Sequence, residues 1–434
     1  MIRYKLCGRL DNKEILRYYQ REKIDCFVHV SEMEGLPVSI MEAESAGIPI
    51  VAADVGGINE QIEENGMLIP ADSSSDDVAN ALLKVLTASE DARKKMRAES
   101  RHIWERKFDA IKNARSYVES VCERFPVARN HVIIVTEGYP YYSNETPFLE
   151  SELKEWLKVT DVTLIARIRG EIPDKKNEGC NGRLSVIPYK DEWNPMKALK
   201  YLFRYPFDKN TRIERAGILK GKKRHLIRYW ESMKYYAGAC RFSKWLMEER
   251  TAGKIDLDSA LIYTYWNLQP TLGICFDRKG FCNTAKITRT HGYDCQDEQW
   301  TRSKRKPFAE TVDKLLDSIV FVSRTGMERY IKDYHVTGKN GKYGYSYIGS
   351  VDSRYYLEDR NSIDTNDTVN DRTLSRIVSC SDLIPLKRVR LIIDALRCIQ
   401  GSNPDMDVEW VHFGDGPLKA EIEEYAATQL GSNK

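Results

Sequence analysis

The chain has 434 residues, of which 42% are hydrophobic and 30% charged, and its formal net charge is +3. This length suits two domains of roughly 150–250 residues better than one core, and the near-neutral charge excludes a nucleic-acid-binding field over the whole molecule. No apolar run approaches the ~20 residues of a membrane span, and no signal-peptide pattern opens the chain. The ten cysteines are scattered without a C-x-x-C pair, which predicts reduced thiols in a cytoplasmic protein.

Apolar runs of strand length alternate with amphipathic stretches of helix length, which is typical of βαβ units and parallel sheets. The predicted strands are, in order, "DCFVHVS", "IPIVAAD", "HVIIVTEGYPYY", "DVTLIAR", "RLSVIPY", "ALIYTYW", "AKITRTHG", "SIVFVSR", "RIVSCS" and "VEWVHFGDG". Helices are predicted between them, notably at 39–47, 76–109, 110–125, 387–400 and 417–430. The pattern predicts an α/β protein with two Rossmann-like parallel-sheet domains.

Both ends of the chain carry an incomplete α/β unit. If Lys434 were followed directly by Met1, the sequence would predict a helix, a short loop, a strand, a helix and a strand, with connections of ordinary length. The two end segments are therefore expected to form one α/β domain together. A polar stretch that ends at residue 375 has the composition of a linker. The predicted segments are 1–110 and 376–434 as two parts of one domain, a terminal helix at 111–125, a second domain at 126–360, and a linker at 361–375.

Two glutamates bracket a Gly-Leu-Pro turn in "SEMEGLPVSIMEAESAG". Pro37 suits the first helical position, where its missing N–H costs nothing, so Glu34 is expected in the loop after a strand and Glu42 inside the helix. The N–H groups at such a helix start can bind a phosphate, and carboxylates suit the hydroxyls of a sugar or ribose. Ligands of open α/β sheets bind at the carboxyl ends of the strands, where this loop belongs.

In its wider context this stretch resembles the retaining glycosyltransferases of GT-B architecture known as group 1, or family 4. The resemblance covers nearly the whole chain in rearranged order, namely 126–370, then 371–434, then 1–125. It implies two Rossmann-like domains facing a cleft, an acceptor-binding domain at 126–360, and a nucleotide-sugar domain that is circularly permuted. Glu34 would then lie beside the donor sugar and Glu42 would hold the ribose. The sugar and diphosphate would lie against Gly35, Leu36, Pro37 and Val38.

The resemblance also implies site residues elsewhere in the chain. Within "DLIPLKRV", Lys387 would bind the diphosphate, and a cation there would stabilise the leaving group. Many relatives carry an arginine where this chain has Asp382, and Arg388 is the candidate substitute. Loops near the nucleotide base would include "CGRL" and the residues Gly414, Asp415 and Gly416. In "TRTHGYD", His291 would reach the donor sugar across the cleft, whereas Glu145 and Asp294 are equally well interpreted as functional or structural.

The resemblance implies an enzyme, a retaining hexosyltransferase (EC 2.4.1.-) that uses a UDP- or GDP-sugar donor, with no metal and no other cofactor. Its acceptor would be a glycan or a lipid-linked glycan in bacterial surface polysaccharide or glycolipid assembly. Two alternatives stay open. The chain is either an inactive or artefactual fusion of two truncated glycosyltransferases, or a GT-B nucleotide-sugar epimerase or phosphorylase.

Residues 197–250 have a composition unlike the rest of the chain. They contain 15 Lys and Arg against five Asp and Glu, with aromatic residues interleaved. A basic, aromatic helical stretch can lie on an anionic membrane, which would place the protein peripherally on the inner face of the cell membrane. The alternatives are a solvated helical insertion, which is favoured slightly by composition, and nucleic-acid binding, which no recognised module supports.

Overall fold

The computed structural model describes residues 2–142, 145–171, 182–192, 195–220, 225–276, 284–292, 294, 305–334, 341–357 and 374–431. The chain divides into two compact units. Unit 1 combines Met1–Asp109 with Gly349–Lys434, and unit 2 is Ala110–Ile348. Each unit is built around a parallel sheet with helices, so the predicted α/β class with two parallel-sheet domains is confirmed.

The described residues form thirteen strands, and every strand predicted from the sequence lies among them. They are β1 Ile2–Leu6, β2 Cys26–His29, β3 Ile50–Ala53, β4 Gly66–Ile69, β5 His131–Thr136, β6 Asp161–Ile168, β7 Leu184–Lys190, β8 Leu261–Thr264, β9 Ala285–Thr290, β10 Ser318–Phe321, β11 Tyr343–Tyr345, β12 Leu374–Cys380 and β13 Asp407–Phe413.

The same residues form fourteen α-helices. They are α1 Asn12–Arg21, α2 Val38–Ser45, α3 Ser75–Leu86, α4 Glu90–Ile103, α5 Ala110–Arg124, α6 Thr146–Val159, α7 Pro195–Arg204, α8 Arg212–Lys220, α9 His225–Thr251, α10 Gln269–Phe276, α11 Ala309–Leu315, α12 Arg324–Asp333, α13 Val389–Ser402 and α14 Lys419–Leu430.

The sheet of unit 1 is assembled from both ends of the chain. Its strand order is β1-β13-β12-β2-β3-β4, and all neighbouring strands are parallel. Ile2 pairs with Val408 and Cys26 with Ile377, so the two segments alternate across the sheet. The fragments predicted to complete one another therefore form one sheet.

The central strands β2 and β3 of unit 1 are buried on both faces, which explains their continuous apolar sequences, whereas the edge strands β1 and β4 are partly exposed. Successive residues point to opposite faces, and Phe27 and Val28 accordingly belong to two different hydrophobic clusters. One cluster packs against α3 and α13, and the other against α1 and α2. Burial on both sides fixes the register, because a one-residue slip would exchange the two faces.

Unit 2 contains a seven-stranded sheet in the order β11-β10-β9-β8-β5-β6-β7, with parallel pairing throughout. Most of the described residues of its basic segment lie in α7, α8 and α9. Helix α9 packs on α10 through aromatic and small side chains, and Gly273 makes this close approach possible because a Cβ there would crowd the backbone of Ala239.

The unit boundaries differ from the predicted segments at both junctions, since Ala110 begins unit 2 instead of ending the first segment, and unit 1 resumes at Gly349. Residues 349–357 belong to unit 1, whereas the sequence placed them in the second domain. Arg101 of α4 donates hydrogen bonds of 2.9 and 2.7 Å to both carboxylate oxygens of Asp352, and Trp104 Nε1 donates to Ser350 Oγ at 2.8 Å. Of the predicted linker, 361–373 lie outside the described residues, and β12 begins at Leu374.

Two local predictions are corrected by the structure. The continuous helix expected at 76–109 is interrupted after Leu86, and a new helix starts because Ser89 accepts a hydrogen bond from Ala92 N as its N-cap. Pro37 is the N-cap of α2 rather than its first helical residue. The helix predicted at 110–125 is present as α5.

Candidate active site

The residues proposed to bind a nucleotide sugar converge on one edge of the unit 1 sheet. Glu34 follows β2, Lys387 follows β12 and Gly414 follows β13. Because these strands are parallel, their carboxyl ends share one edge of the sheet, which is where ligands bind in open α/β folds. Residues more than 350 positions apart are thereby brought together.

Glu34 and Lys387 form an ion pair at this edge. Lys387 Nζ donates to Glu34 Oε1 at 2.5 Å, and His29 Nε2 lies 2.9 Å from the same oxygen. The Ser31 hydroxyl contacts the same imidazole nitrogen at 3.0 Å. Burial alone would raise the pKa of Glu34, but His29 and then Lys387 outweigh it and lower the pKa to about 2. Glu34 is therefore a carboxylate at neutral pH, held between two donors.

The loop that carries Glu34 is braced by a glycine pair. Gly56 has φ +59°, and a Cβ at this position would overlap the carbonyl oxygen of Glu34. The neighbouring Gly57 N–H donates to the Gly35 carbonyl at 2.7 Å. The close backbone contact fixes the position from which Glu34 extends, and only glycine permits it.

The segment Gly35–Val38 leads directly into α2. Among the described residues no side chain caps this helix start, and its first turn contains no acidic residue. Gln61 Nε2 donates to the Pro37 carbonyl at 3.1 Å, which holds the turn from below. An uncapped helix N-terminus carries partial positive charge and free N–H groups, so the segment can receive an anion.

Glu42 lies inside α2 and is 6% exposed. Its Oε1 accepts a hydrogen bond from Asn12 Nδ2 at 2.5 Å. Burial raises the pKa of Glu42 to about 7, and the Asn12 hydrogen bond acts in the opposite direction. The carboxyl group therefore changes its charge near neutral pH.

Arg388 is engaged by backbone carbonyls rather than by a carboxylate. Its Nε donates to Val30 O at 2.6 Å and its Nη2 to Ser31 O at 3.4 Å. Its backbone is left-handed, with φ 49° and ψ 39°, at the junction between the Lys387 turn and α13. The side chain thus ties this turn to the end of β2, and its proposed role as a second cation for the diphosphate stays a prediction.

The segment Gly414–Gly416 meets two other loops through its backbone. Gly414 N donates to Gly8 O at 2.9 Å, and Leu383 N donates to Asp415 O at 3.0 Å. A Cβ on Gly414 would overlap the Ser381 carbonyl, and one on Gly416 would lie 2.6 Å from Leu383 O. The two loops assigned to the nucleotide base, "CGRL" and "FGDGP", are therefore in direct contact.

His291 lies at the end of β9 in unit 2, with its side chain 7% exposed. The ring packs against Trp266 and Tyr265, at centroid distances of 4.2 and 4.8 Å. Neither ring nitrogen has a hydrogen-bond partner among the described residues, and Nδ1 is 4.0 Å from Asp294 Oδ2. Burial, followed by the charge of Arg289, holds the His291 pKa well below its usual value, so the imidazole is neutral.

Asp294 and Glu145 organise the loops around His291. Asp294 accepts hydrogen bonds from His291 N at 2.6 Å and from Asn267 N at 2.7 Å. Glu145 accepts from Trp266 Nε1 at 2.6 Å and from two backbone N–H groups. These contacts support the structural interpretation of both carboxylates, although burial raises the pKa of each.

Sequence reasoning missed three polar residues of these sites: His29, Ser31 and Asn12. His29 is the only polar side chain among the four residues of the apolar strand β2 apart from the Cys26 thiol. This isolated polar position is the feature of the sequence that could have indicated a functional role. Asn12 resembles an ordinary helix start, since Asp11 and Glu14 form a capping box there. Its contact with Glu42 depends on tertiary structure and leaves no trace in the local sequence.

The described ranges contain neither a candidate metal centre nor a helix that could cross a membrane. Within those ranges no group of three or more His, Cys, Asp or Glu side chains is arranged to hold a metal ion. Within the same ranges no helix combines the length and the hydropathy needed to cross a membrane.

Comparisons with known proteins match the amino-terminal part of unit 1. Residues 3–103 match the family model described as "Glycosyl transferases group 1". Over 101 residues the chain is 36% identical to the O-antigen biosynthesis glycosyltransferase WbnH of Escherichia coli, which covers 23% of this chain and 29% of that protein. The amylovoran biosynthesis glycosyltransferase AmsK of Erwinia amylovora is 40% identical over 74 residues, or 15% of this chain and 18% of that one. The chain thus spans less than a third of these relatives.

Two solved structures also align with the chain. An α,α-trehalose-phosphate synthase from Burkholderia vietnamiensis aligns with a TM-score of 0.42 and 12% identity over 70% of both chains. The catalytic domain of starch synthase IV from Arabidopsis thaliana aligns with a TM-score of 0.36 and 10% identity, over 69% of this chain and 71% of that one. Glu34 and Glu42 both lie within residues 3–103, the segment that matches the group 1 model.

Proposed function

We propose that the protein is a retaining glycosyltransferase of the family 4 type, which transfers a hexose from a UDP- or GDP-sugar to a glycan or lipid-linked acceptor. The observation that carries the proposal is the pairing of Glu34 with Lys387 at the carboxyl edge of the unit 1 sheet, inside a unit whose residues 3–103 match a glycosyltransferase model. The names of the similar O-antigen and amylovoran proteins favour bacterial surface polysaccharide as the product.

In this proposal each unit 1 residue has one task. The Lys387 ammonium binds the diphosphate and stabilises the negative charge that develops on it as the sugar leaves, which is the main requirement of electrostatic catalysis. The backbone of Gly35–Val38 and the start of α2 bind the same phosphates, and Arg388, beside Lys387, is proposed as the second cation for the diphosphate. Glu34 faces the sugar and helps to stabilise its positive charge in the transition state.

The remaining residues select and position the nucleotide. Glu42 accepts hydrogen bonds from the ribose, and the loops around Gly414, Asp415 and Gly416 lie beside the base. His291 is proposed as a neutral hydrogen-bonding group, consistent with its unpartnered ring nitrogens. Retention is proposed to follow a front-face route in which the departing phosphate accepts the acceptor's proton, and no metal is needed.

We further propose that the chain order is a circular permutation of the usual arrangement, with 126–360 as the acceptor domain. The alternation of strands from both chain ends within the unit 1 sheet supports it. The same alternation weighs against the alternative of two truncated enzymes fused end to end, since such halves would each lack a complete sheet.

We further propose that the basic segment, residues 197–250, binds the cytoplasmic face of the cell membrane and holds the enzyme there as a peripheral protein. The supporting observation is a set of exposed apolar side chains on α7, α8, α9 and the turn after α7. They are Leu199, Phe203, Phe207, Leu219, Leu226, Ile227 and Trp230, of which Phe207 is 85% and Leu226 87% exposed. Apolar side chains among lysines and arginines suit an anionic lipid surface.

The membrane proposal is tested by sedimentation with phosphatidylcholine vesicles, with and without phosphatidylglycerol. Binding is expected only to the anionic vesicles, and Phe207→Ser with Leu226→Ser should weaken it. Equal recovery of both proteins in the supernatant contradicts membrane contact and leaves a solvated helical insertion.

The function is tested with a panel of UDP-, GDP- and ADP-sugars in a thermal-shift assay. A ligand that binds only the folded state at 100 times its Kd stabilises by about 2.7 kcal/mol, so a true donor should raise the Tm by several degrees. Glu42→Gln and Lys387→Met should lose this shift. Donor conversion without any acceptor would instead favour the epimerase or phosphorylase alternative.

A further inference from the structure

Asn12 is the partner of Glu42 that no sequence pattern indicated. It is the first residue of α1, and its side-chain amide reaches α2, thirty positions later, to donate to Glu42 Oε1 at 2.5 Å. Glu42 Oε2 accepts no hydrogen bond from the residues that the structure describes. Among the described residues, one carboxylate oxygen of Glu42 therefore has a hydrogen-bond donor and the other has none.

We propose that Asn12 is a positioning residue for nucleotide binding, which orients Glu42 and keeps its second oxygen available as the acceptor for a ribose hydroxyl of a ribonucleoside diphosphate. The proposal rests on the function proposed above, and adds a residue from the loop after β1 to the site. Asn12 does not itself touch the ligand.

The geometry explains why a neutral amide is used here. Glu42 lies in an interior environment, where an isolated carboxylate is costly, and an arginine would engage both of its oxygens in a bidentate ion pair. A single N–H from Asn12 favours the charged form without occupying both oxygens. An asparagine at this position therefore stabilises the buried Glu42 carboxylate and still leaves one of its oxygens able to accept a hydrogen bond from a ligand.

Of Glu42 and the two titratable groups that interact with it, Glu42 is the one with a pKa near neutral pH. Tyr19 of α1 and Cys380 at the end of β12 interact with it electrostatically. Burial is the main cause that raises the pKa of the Tyr19 hydroxyl and of the Cys380 thiol well above neutrality, and the neighbouring charges, including that of Glu42, change these pKa values less. Binding of a ribonucleoside diphosphate should therefore strengthen as Glu42 ionises with rising pH.

The test is the pH dependence of UDP and GDP binding by isothermal titration, comparing the wild type with Asn12→Leu. Loss of the hydrogen bond disfavours the carboxylate, so the midpoint of the affinity profile should rise by about one pH unit. Affinity at pH 7 should fall by about fivefold, with recovery at pH 9. Asn12→Asp, which places a second carboxyl group against Glu42, should raise the midpoint at least as far.

The start of α1 provides a matched control. The helix cap is made by Asp11 and Glu14 and not by Asn12, so Asn12→Leu should leave the fold intact. Glu14→Ala removes half of that capping box without touching Glu42. It should lower the Tm slightly and leave the affinity and its pH midpoint unchanged.

The outcomes separate the two proposals. If Glu42→Gln weakens UDP or GDP binding but Asn12→Leu and Asn12→Asp keep the wild-type affinity and midpoint, the role of Asn12 is refuted and the site stands. If Glu42→Gln leaves binding unchanged, or if the wild type binds neither UDP nor GDP up to pH 9, the site assignment is refuted and the role of Asn12 with it. A double variant no weaker than Glu42→Gln alone supports the proposal, since Asn12 acts through Glu42.

Discussion

The ion pair between Glu34 and Lys387 joins positions 353 residues apart, so its strength reports on both the sheet and the site. We predict that Glu34→Gln and Lys387→Met are energetically coupled in the ligand-free protein. Methionine keeps most of the volume of lysine while removing its charge, and glutamine keeps the shape of glutamate. A double-mutant cycle with these variants therefore isolates the charge interaction.

The expected magnitude follows from the environment of Glu34. The side chains of Glu34 and Lys387 are 11% and 21% exposed. Burial opposes the carboxylate, yet His29 and Lys387 lower its pKa from 4.5 to about 2, a difference that corresponds to roughly 3 kcal/mol. Because His29 contributes first and Lys387 second, Lys387→Met should lower the free energy of unfolding by about 1–2 kcal/mol at pH 7, with a coupling energy of about 1 kcal/mol.

The pH dependence has a definite sign. Since the pKa of Glu34 is lowered in the folded state, its contribution is complete above the unfolded-state value of 4.5 and is lost as the pH falls towards 2. The difference between wild type and Lys387→Met should therefore shrink between about pH 4.5 and pH 2. Urea unfolding followed by hydrogen exchange of peptides from β2 and β12 measures unit 1 separately from unit 2.

An exposed ion pair in the same unit serves as the control. Arg390 and Glu421 are 2.9 Å apart and each about half exposed, so solvent screens the pair and the cycle of Arg390→Met and Glu421→Gln should give little or no coupling. Additive effects of Glu34→Gln and Lys387→Met at pH 7, equal to this control, would refute the ion pair and the arrangement of the site around it.

Two further predictions concern the loop of Glu34 and the imidazole of unit 2. Gly56→Ala should lower nucleotide affinity, measured by titration calorimetry, at least about tenfold, because the new Cβ displaces the Glu34 backbone. The control Gly253→Ala, at φ +71° but with open space around it, should change only stability. Equal nucleotide affinities of the two variants would contradict this prediction. Burial and then Arg289 lower the pKa of His291. His291→Gln should therefore reduce kcat without changing the shape of the plot of kcat against pH between about pH 6 and 8. If the variant lost an inflection that the wild type shows in that range, the wild-type imidazole would titrate there, against the prediction.

Much of the fold could be predicted because the central strands of its sheets are buried on both faces. Apolar runs such as "HVIIVT" are long enough to identify a strand without knowledge of its neighbours. β4 and β11 were not predicted, since four and three residues with partly exposed side chains give little periodic signal. The break after Leu86 was missed because Thr87 and Ser89 interrupt an otherwise helical pattern only through a local cap.

The sequence suggested candidate site residues one at a time but did not indicate the contacts that they make with each other. Glu34, Glu42 and Lys387 stand in recognisable sequence contexts, and the structure brings Glu34 and Lys387 together. The contact of His29 with Glu34 and the engagement of Arg388 by Val30 depend on how loops from different strands meet. Such contacts are set by tertiary packing, which the spacing of residues along the chain does not encode.

The most direct measurement of the central claim is release of the nucleoside diphosphate from the donor sugar selected by the thermal-shift panel, with analysis of the product's anomeric configuration by NMR. The account predicts transfer with retention by the wild type and by Arg390→Met, and at least about hundredfold lower kcat/KM for Lys387→Met, a loss of roughly 2.7 kcal/mol of transition-state stabilisation. Equal kcat/KM for all three proteins, or a product of inverted configuration, would contradict it.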